Sequence, residues 1–159
     1  MLQPYINNEA HWAQTWQELG EGVPSLAGFA RLCSLSLTRE VRRDVPLSME
    51  AKAILYAARE RGMVEIKGSN RSFDAPSRLL AVQVELSPQQ MITFRNRDKP
   101  ELTIRMLGGF RELCAAGLIM HHIYCDFSLT TEGFEVARSI AKEDVEKILA
   151  DASELTGFD

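Results

Sequence analysis

The clearest pattern of apolar and polar positions lies between residues 100 and 137. Leu102, Met106, Phe110 and Leu113 recur at spacings of four, four and three, laying one apolar stripe along a helix that ends at Gly117. Leu118 to Tyr124 is an apolar run carrying two histidines, Cys125 and Asp126 supply a turn, and Phe127 to Leu129 returns as a second short strand. Thr130 stands where its side-chain oxygen can accept from the free amides of a new helical turn. The predicted order is helix, hairpin, helix.

Upstream, Trp12, Trp16 and Leu19 share one face of a short stretch, residues 8–19, ended by Gly20 and Gly22. Two tryptophans on one stripe need a surface to cover them: the rest of the chain, which we favour, or a second copy. Pro24 and Ser25 open a second helical stretch in which Leu26, Phe29 and Cys33 share a face. Ser48 caps a third helix with Glu50 in its first turn and Met49, Ala53, Ile54, Tyr56 and Ala57 on its apolar side. Met63 to Lys67 alternates as a half-buried strand does, and Leu79 to Leu86 reads as a more buried one, so the two predict a β-hairpin. Its connection, Gly68 to Arg78, is long, and long loops in compact domains go with function or disorder.

Ser87-Pro88-Gln89-Gln90 has the form of a capping box with proline at the first helical position, predicting a short helix with Met91, Ile92 and Phe94 on its apolar side. Arg95 to Pro100 follows as a turn, completing helix, turn, helix and wing. Gly108 and Gly109 interrupt the last of these helices at about 1 kcal/mol each relative to alanine, so the backbone there either packs closely against a neighbour or bends. From Phe134 the apolar positions Ala137, Ile140, Ala141, Val145, Ile148 and Leu149 predict one amphipathic C-terminal helix of about 20 residues.

Two phrases carry a resemblance. Arg111-Glu112-Leu113-Cys114-Ala115-Ala116-Gly117-Leu118-Ile119 is similar to the end of the recognition helix and the entry into the wing of winged-helix domains of the MarR and PadR type, and Leu129-Thr130-Thr131-Glu132-Gly133 resembles their LTxxG step out of the wing. The resemblance spans residues 87–140 and implies an α+β, mainly helical fold: a winged-helix-like domain over 48–159 with a short β-hairpin wing and a long C-terminal helix, behind an N-terminal helical extension at 1–47. It also implies DNA as a partner and a homodimer made by the flanking helices. The positions such a fold aims at a groove are Arg95, Arg97, Lys99, Thr103 and Arg105, suited to phosphate and base-edge contacts. Met120 to Phe127 holds no Lys or Arg, so the usual wing contact to the minor groove is missing.

Composition narrows the function classes. With 45% hydrophobic and 25% charged residues the chain is an ordinary globular one, and its net charge of -4 is uneven. Residues 1–125 hold 15 Lys and Arg against 13 Asp and Glu, or +2, while 126–159 hold 3 against 9, or -6. That balance argues against tight non-specific DNA binding. The mixed-sign run around Arg39, Arg42 and Arg43 reads more readily as a solvated loop than as a phosphate patch. Cys33, Cys114 and Cys125 are far apart and form no CxxC pair, so neither zinc nor a disulfide framework is expected, and the compartment predicted is the cytoplasm, with no membrane segment.

His121 and His122 are adjacent and on a strand face opposite ways, which predicts two wing residues rather than a metal site. Enzyme motifs such as GxSxG, HExxH and GxxxxGK[ST] are absent, and no catalysis or cofactor is expected. The leading expectation is a DNA-binding transcriptional regulator or accessory factor. The alternative is a non-catalytic protein–protein interaction module on the same fold. A third reading places a phosphate at the long loop, on Lys67, Asn70, Arg71 and Arg78.

Overall fold

A computed structural model of the chain describes residues 24–38, 46–69 and 72–157. The predicted tryptophan helix at 8–19, the run of Arg39, Arg42 and Arg43, and Asn70 and Arg71 of the long loop lie outside the described residues. In chain order the elements are α1 (Pro24–Ser36), α2 (Met49–Ala58), β1 (Met63–Lys67), α3 (Ala75–Arg78), β2 (Ala81–Ser87), β3 (Gln90–Phe94), α4 (Pro100–Ala115), β4 (Ile119–His121), β5 (Asp126–Leu129), α5 (Thr131–Ser139), α6 (Lys142–Ala152) and β6 (Glu154–Gly157).

The strands form one six-stranded antiparallel sheet in the order β4, β5, β1, β2, β3, β6. Alternation along each strand sends Val64, Ile66, Val82, Val84, Ile92, Phe94, Phe127 and Leu129 into a core with Leu26, Ile54, Leu55, Met106, Phe110 and Leu113 from the helices. The opposite face carries a register row of Asp126, Glu65, Gln83, Thr93 and Glu154. Phe110 anchors the centre of the core, with the ring of Phe29 edge-on at 5.2 Å and that of Phe127 at 4.9 Å. α1 therefore shares one core with the rest of the chain.

Local signals placed several elements as expected. Ser48 caps α2 by accepting from the Ala51 amide at 3.2 Å, and Thr130 caps α5 by accepting from the Gly133 amide at 3.1 Å. α4 gives way to β4 through Gly117, whose φ of +76° favours glycine. β1 and β2 pair as the predicted hairpin, Val64 opposite Val84.

Three expectations are corrected. Ser87 to Gln90 is not a helix start but the tight end of the β2–β3 hairpin. The Ser87 hydroxyl accepts from the Gln89 amide at 3.2 Å, the register shifts between Glu85 and Ser87, and Met91, Ile92 and Phe94 lie on β3. The same Ser-Pro-Gln signal serves a turn as well as a helix cap, and pairing with both β2 and β6 decides for the strand. The element immediately before α4 is therefore a strand and not a partner helix, and the description "mainly helical" gives way to helices packed on a large sheet.

The single C-terminal helix is broken at Ile140 and Ala141, where the backbone is extended, so that α6 turns back to bury Val145 and Ala152. Phe134, Ile140, Ile148 and Leu149, apolar positions assigned to a dimer-forming helix, pack against this chain's own core. Finally, the hairpin turn falls on Ile123 and Tyr124, the latter at φ +51°, while Asp126 already belongs to β5.

The two adjacent glycines of α4 separate cleanly. A Cβ on Gly109 would lie 2.8 Å from the Ala51 amide nitrogen and 2.8 Å from Glu50 Cβ, whereas one on Gly108 would meet nothing within 4 Å. Close packing, not a bend, accounts for Gly109. Gly109→Ala is expected to cost about 1–3 kcal/mol by prising α2 from α4. Gly108→Ala is expected to gain up to about 1 kcal/mol from helix propensity alone. Urea unfolding of the two variants checks the contrast, and equal effects would show that α2 does not rest on Gly109.

Candidate interaction surface

The turn leading into α4 is built around Asn96. Its side-chain oxygen accepts from the amides of Asp98 and Lys99 at 3.0 and 2.8 Å, its side-chain nitrogen donates to the Asp151 carbonyl at 2.6 Å, and its own amide donates to Thr103 Oγ1 at 3.1 Å. Asn96 thereby folds the turn ahead of Lys99, whose own side chain does not cap α4, and it ties the start of α4 to the end of α6. Sequence reasoning missed it, although an asparagine three residues before the helix boundary is the signal for such a turn.

The five positions predicted for nucleic acid are not presented together. Thr103 is fully buried, its hydroxyl engaged with Asn96. Arg95 is 9% exposed, and its Nε has no hydrogen-bond partner among the described residues. Arg97 donates through Nη1 to Asp74 and through Nε to Glu154 at 2.9 Å. Arg105 donates to Glu50 Oε1 at 2.5 Å. Lys99 alone of the five stands exposed with no ion pair among the described residues. Arg111, further along the outer side of α4, is also exposed and without an ion pair among the described residues.

What α4 and the hairpin do present to solvent is partly apolar. Ile104 is 57% exposed on α4, and Ile123 and Tyr124 are 53% and 52% exposed at the end of the β4–β5 hairpin. The hairpin end is held from within: His121 Nε2 lies 2.8 Å from the Tyr124 carbonyl, and His122 Nε2 lies 2.7 Å from Ser128 Oγ. The two imidazoles make separate contacts and do not converge on a common ligand position.

In the second candidate loop, Lys67 pairs with its strand neighbour Glu65 at 2.8 Å, a hydrogen bond that raises the Lys67 pKa. Arg78 ends α3 and is exposed. The described part of this segment is fastened by its acid rather than by its cations. The Ser77 hydroxyl donates to Asp74 Oδ2 at 2.7 Å, Arg97 donates to the same oxygen, and the Ser72 hydroxyl accepts from the Asp74 amide at 3.1 Å. Phe73 beside it is fully exposed.

The sequence matches no protein-family model, and comparison with curated proteins and with solved structures finds no match. Among the described residues no helix is long and apolar enough to cross a membrane.

The Ser77 hydroxyl, and after it Arg97, holds the Asp74 carboxyl below its ordinary pKa. A carboxylate lowered on folding adds stability above its unfolded pKa, and that contribution is lost as pH falls through the lowered folded value. Arg97→Ala is therefore expected to shift the Asp74 titration upward, towards the ordinary carboxylate range, as followed by NMR of the Asp74 side chain. An unchanged titration would mean that the bridge from α3 to β6 does not form in solution.

Proposed function

We propose that this chain is a non-catalytic protein-interaction module whose contact surface is the outer side of α4 together with the end of the β4–β5 hairpin. The observation that carries the reading is how its charges and apolar groups are used. The arginines best placed to meet phosphate, Arg97 and Arg105, are already joined to Asp74, Glu154 and Glu50, while Ile104, Ile123 and Tyr124 are left in water. Exposed pairs of this kind add little stability, but they cancel the positive potential on which DNA association depends. Aromatic and aliphatic anchors beside a few arginines suit a protein partner better.

A second reading, a DNA-binding regulator of winged-helix type, is supported by the succession of α4, hairpin and capped α5 and by Lys99 and Arg111, both exposed on or beside α4. Against it stands the strand β3 immediately before α4, where helix-turn-helix proteins have the helix that crosses the DNA backbone.

One pair of measurements separates the two. Wild type and an Ile104→Asp, Tyr124→Asp double variant of equal Tm are immobilised and offered cellular protein and a random DNA pool. The interaction reading expects a protein retained by the wild type and lost from the variant, with retention little changed between about 50 and 200 mM salt. It also expects no DNA sequence to be enriched. Enrichment of one sequence, abolished by Lys99→Ala and Arg111→Ala, would overturn it in favour of the second reading.

A further inference from the structure

The side of α4 that faces the core runs through Met106, Phe110 and Leu113, and a second stripe lies on its outer side. Glu101, Ile104, Gly108, Arg111 and Ala115 follow one another at spacings of three, four, three and four, the period of a helix seam that faces another helix. All five are exposed. Ile104 is the knob of this seam, 57% exposed, and Gly108 one turn on is its hollow, since a Cβ there would meet nothing within 4 Å. Glu101 and Arg111 flank the two, opposite in charge and neither of them in an ion pair among the described residues.

We propose that α4 pairs antiparallel with α4 of a second copy of this chain, Ile104 of each seated on Gly108 of the other and Glu101 of each beside Arg111 of the other, which rests on the reading of this side as a protein contact surface and names its partner. Residues climb a helix at an even rise, so two positions of an antiparallel pair meet at one level when they lie equally far on either side of the crossing point. Ile104 with Gly108 and Glu101 with Arg111 are both centred on Met106, so one crossing serves both pairs. A two-fold axis at that level repeats each contact, as an isologous interface requires.

Other arrangements of the same helices match less. A parallel pair in register sets Glu101 against Glu101 and Arg111 against Arg111. An antiparallel pair centred on Gly108 places Glu101 opposite Ala115 and Arg111 opposite Arg105. The crossing at Met106 alone joins the apolar knob to the hollow and each charge to its opposite, and the glycine lets the two backbones approach there. The C-terminal helices offer no comparable seam, because Phe134, Ile140, Ile148 and Leu149 are packed on the chain's own core.

The test is sedimentation of the full chain between about 5 and 500 µM, a range set by the weak dimer that a single pair of crossing helices makes. Wild type is expected to pass from monomer to dimer across it. Glu101→Arg and Arg111→Glu each put like charges at both symmetry-related contacts, and each is expected to weaken self-association at least about tenfold. Mixed in equal amounts, the two variants are expected to associate with each other as wild type does, because each then meets the charge it lacks. Gly108→Leu fills the hollow and is expected to stay monomeric, while melting no lower than wild type at the dilute end because leucine favours the helix that glycine weakens. A wild type monomeric at every concentration would overturn the proposal, as would charge variants that associate no better together than apart, or a Gly108→Leu chain that still pairs. A monomer that nonetheless captures a cellular protein through Ile104 and Tyr124 sinks self-pairing alone, whereas an enriched DNA sequence dependent on Arg111 sinks the contact-surface reading and self-pairing with it.

Discussion

The rest of the structure depends on how the N-terminus of α2 is seated against the middle of α4. A helix start carries free amides and partial positive charge, and here α4 supplies what it needs from outside. The Glu112 carboxylate accepts from the Ser48 amide at 2.8 Å and from its hydroxyl at 2.6 Å, while that same hydroxyl accepts from the Ala51 amide. Gly109 lets the two backbones approach, and Glu50 reaches Arg105 on the far side. Because α2 runs on into β1 and α4 runs on into β4, this contact fixes where both strands begin. The pairing of β1 with β5, and of β5 with β4, then closes a ring of contacts through sheet and helices.

Elements whose cause is local were legible in the sequence. The stripe from Leu102 to Leu113, the stop at Gly117, the caps at Ser48 and Thr130 and the alternation of Met63 to Lys67 each depend on residues within a few positions. What was missed depends on distant partners or on signals with two uses. Gln90 to Phe94 is apolar enough for either a short helix or a strand, and only β2 and β6 on its two sides settle it. β6 has no signal of its own. The break at Ile140 did leave a trace: Arg138 in the last turn of α5 and Glu143 and Asp144 in the first turn of α6 are the charges that suit a helix end and a helix start. A continuous apolar period outweighed them, because periodicity does not register a change of direction between two turns.

The candidate surface was legible in residue type but not in availability. Arg97 finds its partners at Asp74 and Glu154, and Arg105 finds Glu50, all far away in sequence, so a cation that looks free along the chain is neutralised in the fold. The exposed apolar groups had the opposite fault. Ile104 sits one residue off the buried stripe of α4, and Ile123 and Tyr124 continue an apolar run whose earlier members, Leu118 and Ile119, are buried. A pattern read in one dimension joins Ile123 and Tyr124 to the strand by continuity, and only the turn at positive φ shows that the chain has already left it.

The phrase Leu129-Thr130-Thr131-Glu132-Gly133 has a mechanical explanation that bears on what a resemblance can mean. Thr130 donates through its hydroxyl to the Gly117 carbonyl at 2.9 Å, accepts from the Gly133 amide at 3.1 Å, and donates through its own amide to the Leu118 carbonyl at 3.0 Å. One residue thus joins the end of α4, the base of the hairpin and the start of α5. Gly133 completes the clamp, since a Cβ there would stand 2.1 Å from the Leu118 carbonyl oxygen. Any chain that turns from a hairpin into a helix this tightly beside a preceding helix needs a capping hydroxyl and, three residues later, a glycine. The motif is the requirement of that corner, which holds α4, the hairpin and α5 in place and does not specify what the molecule binds.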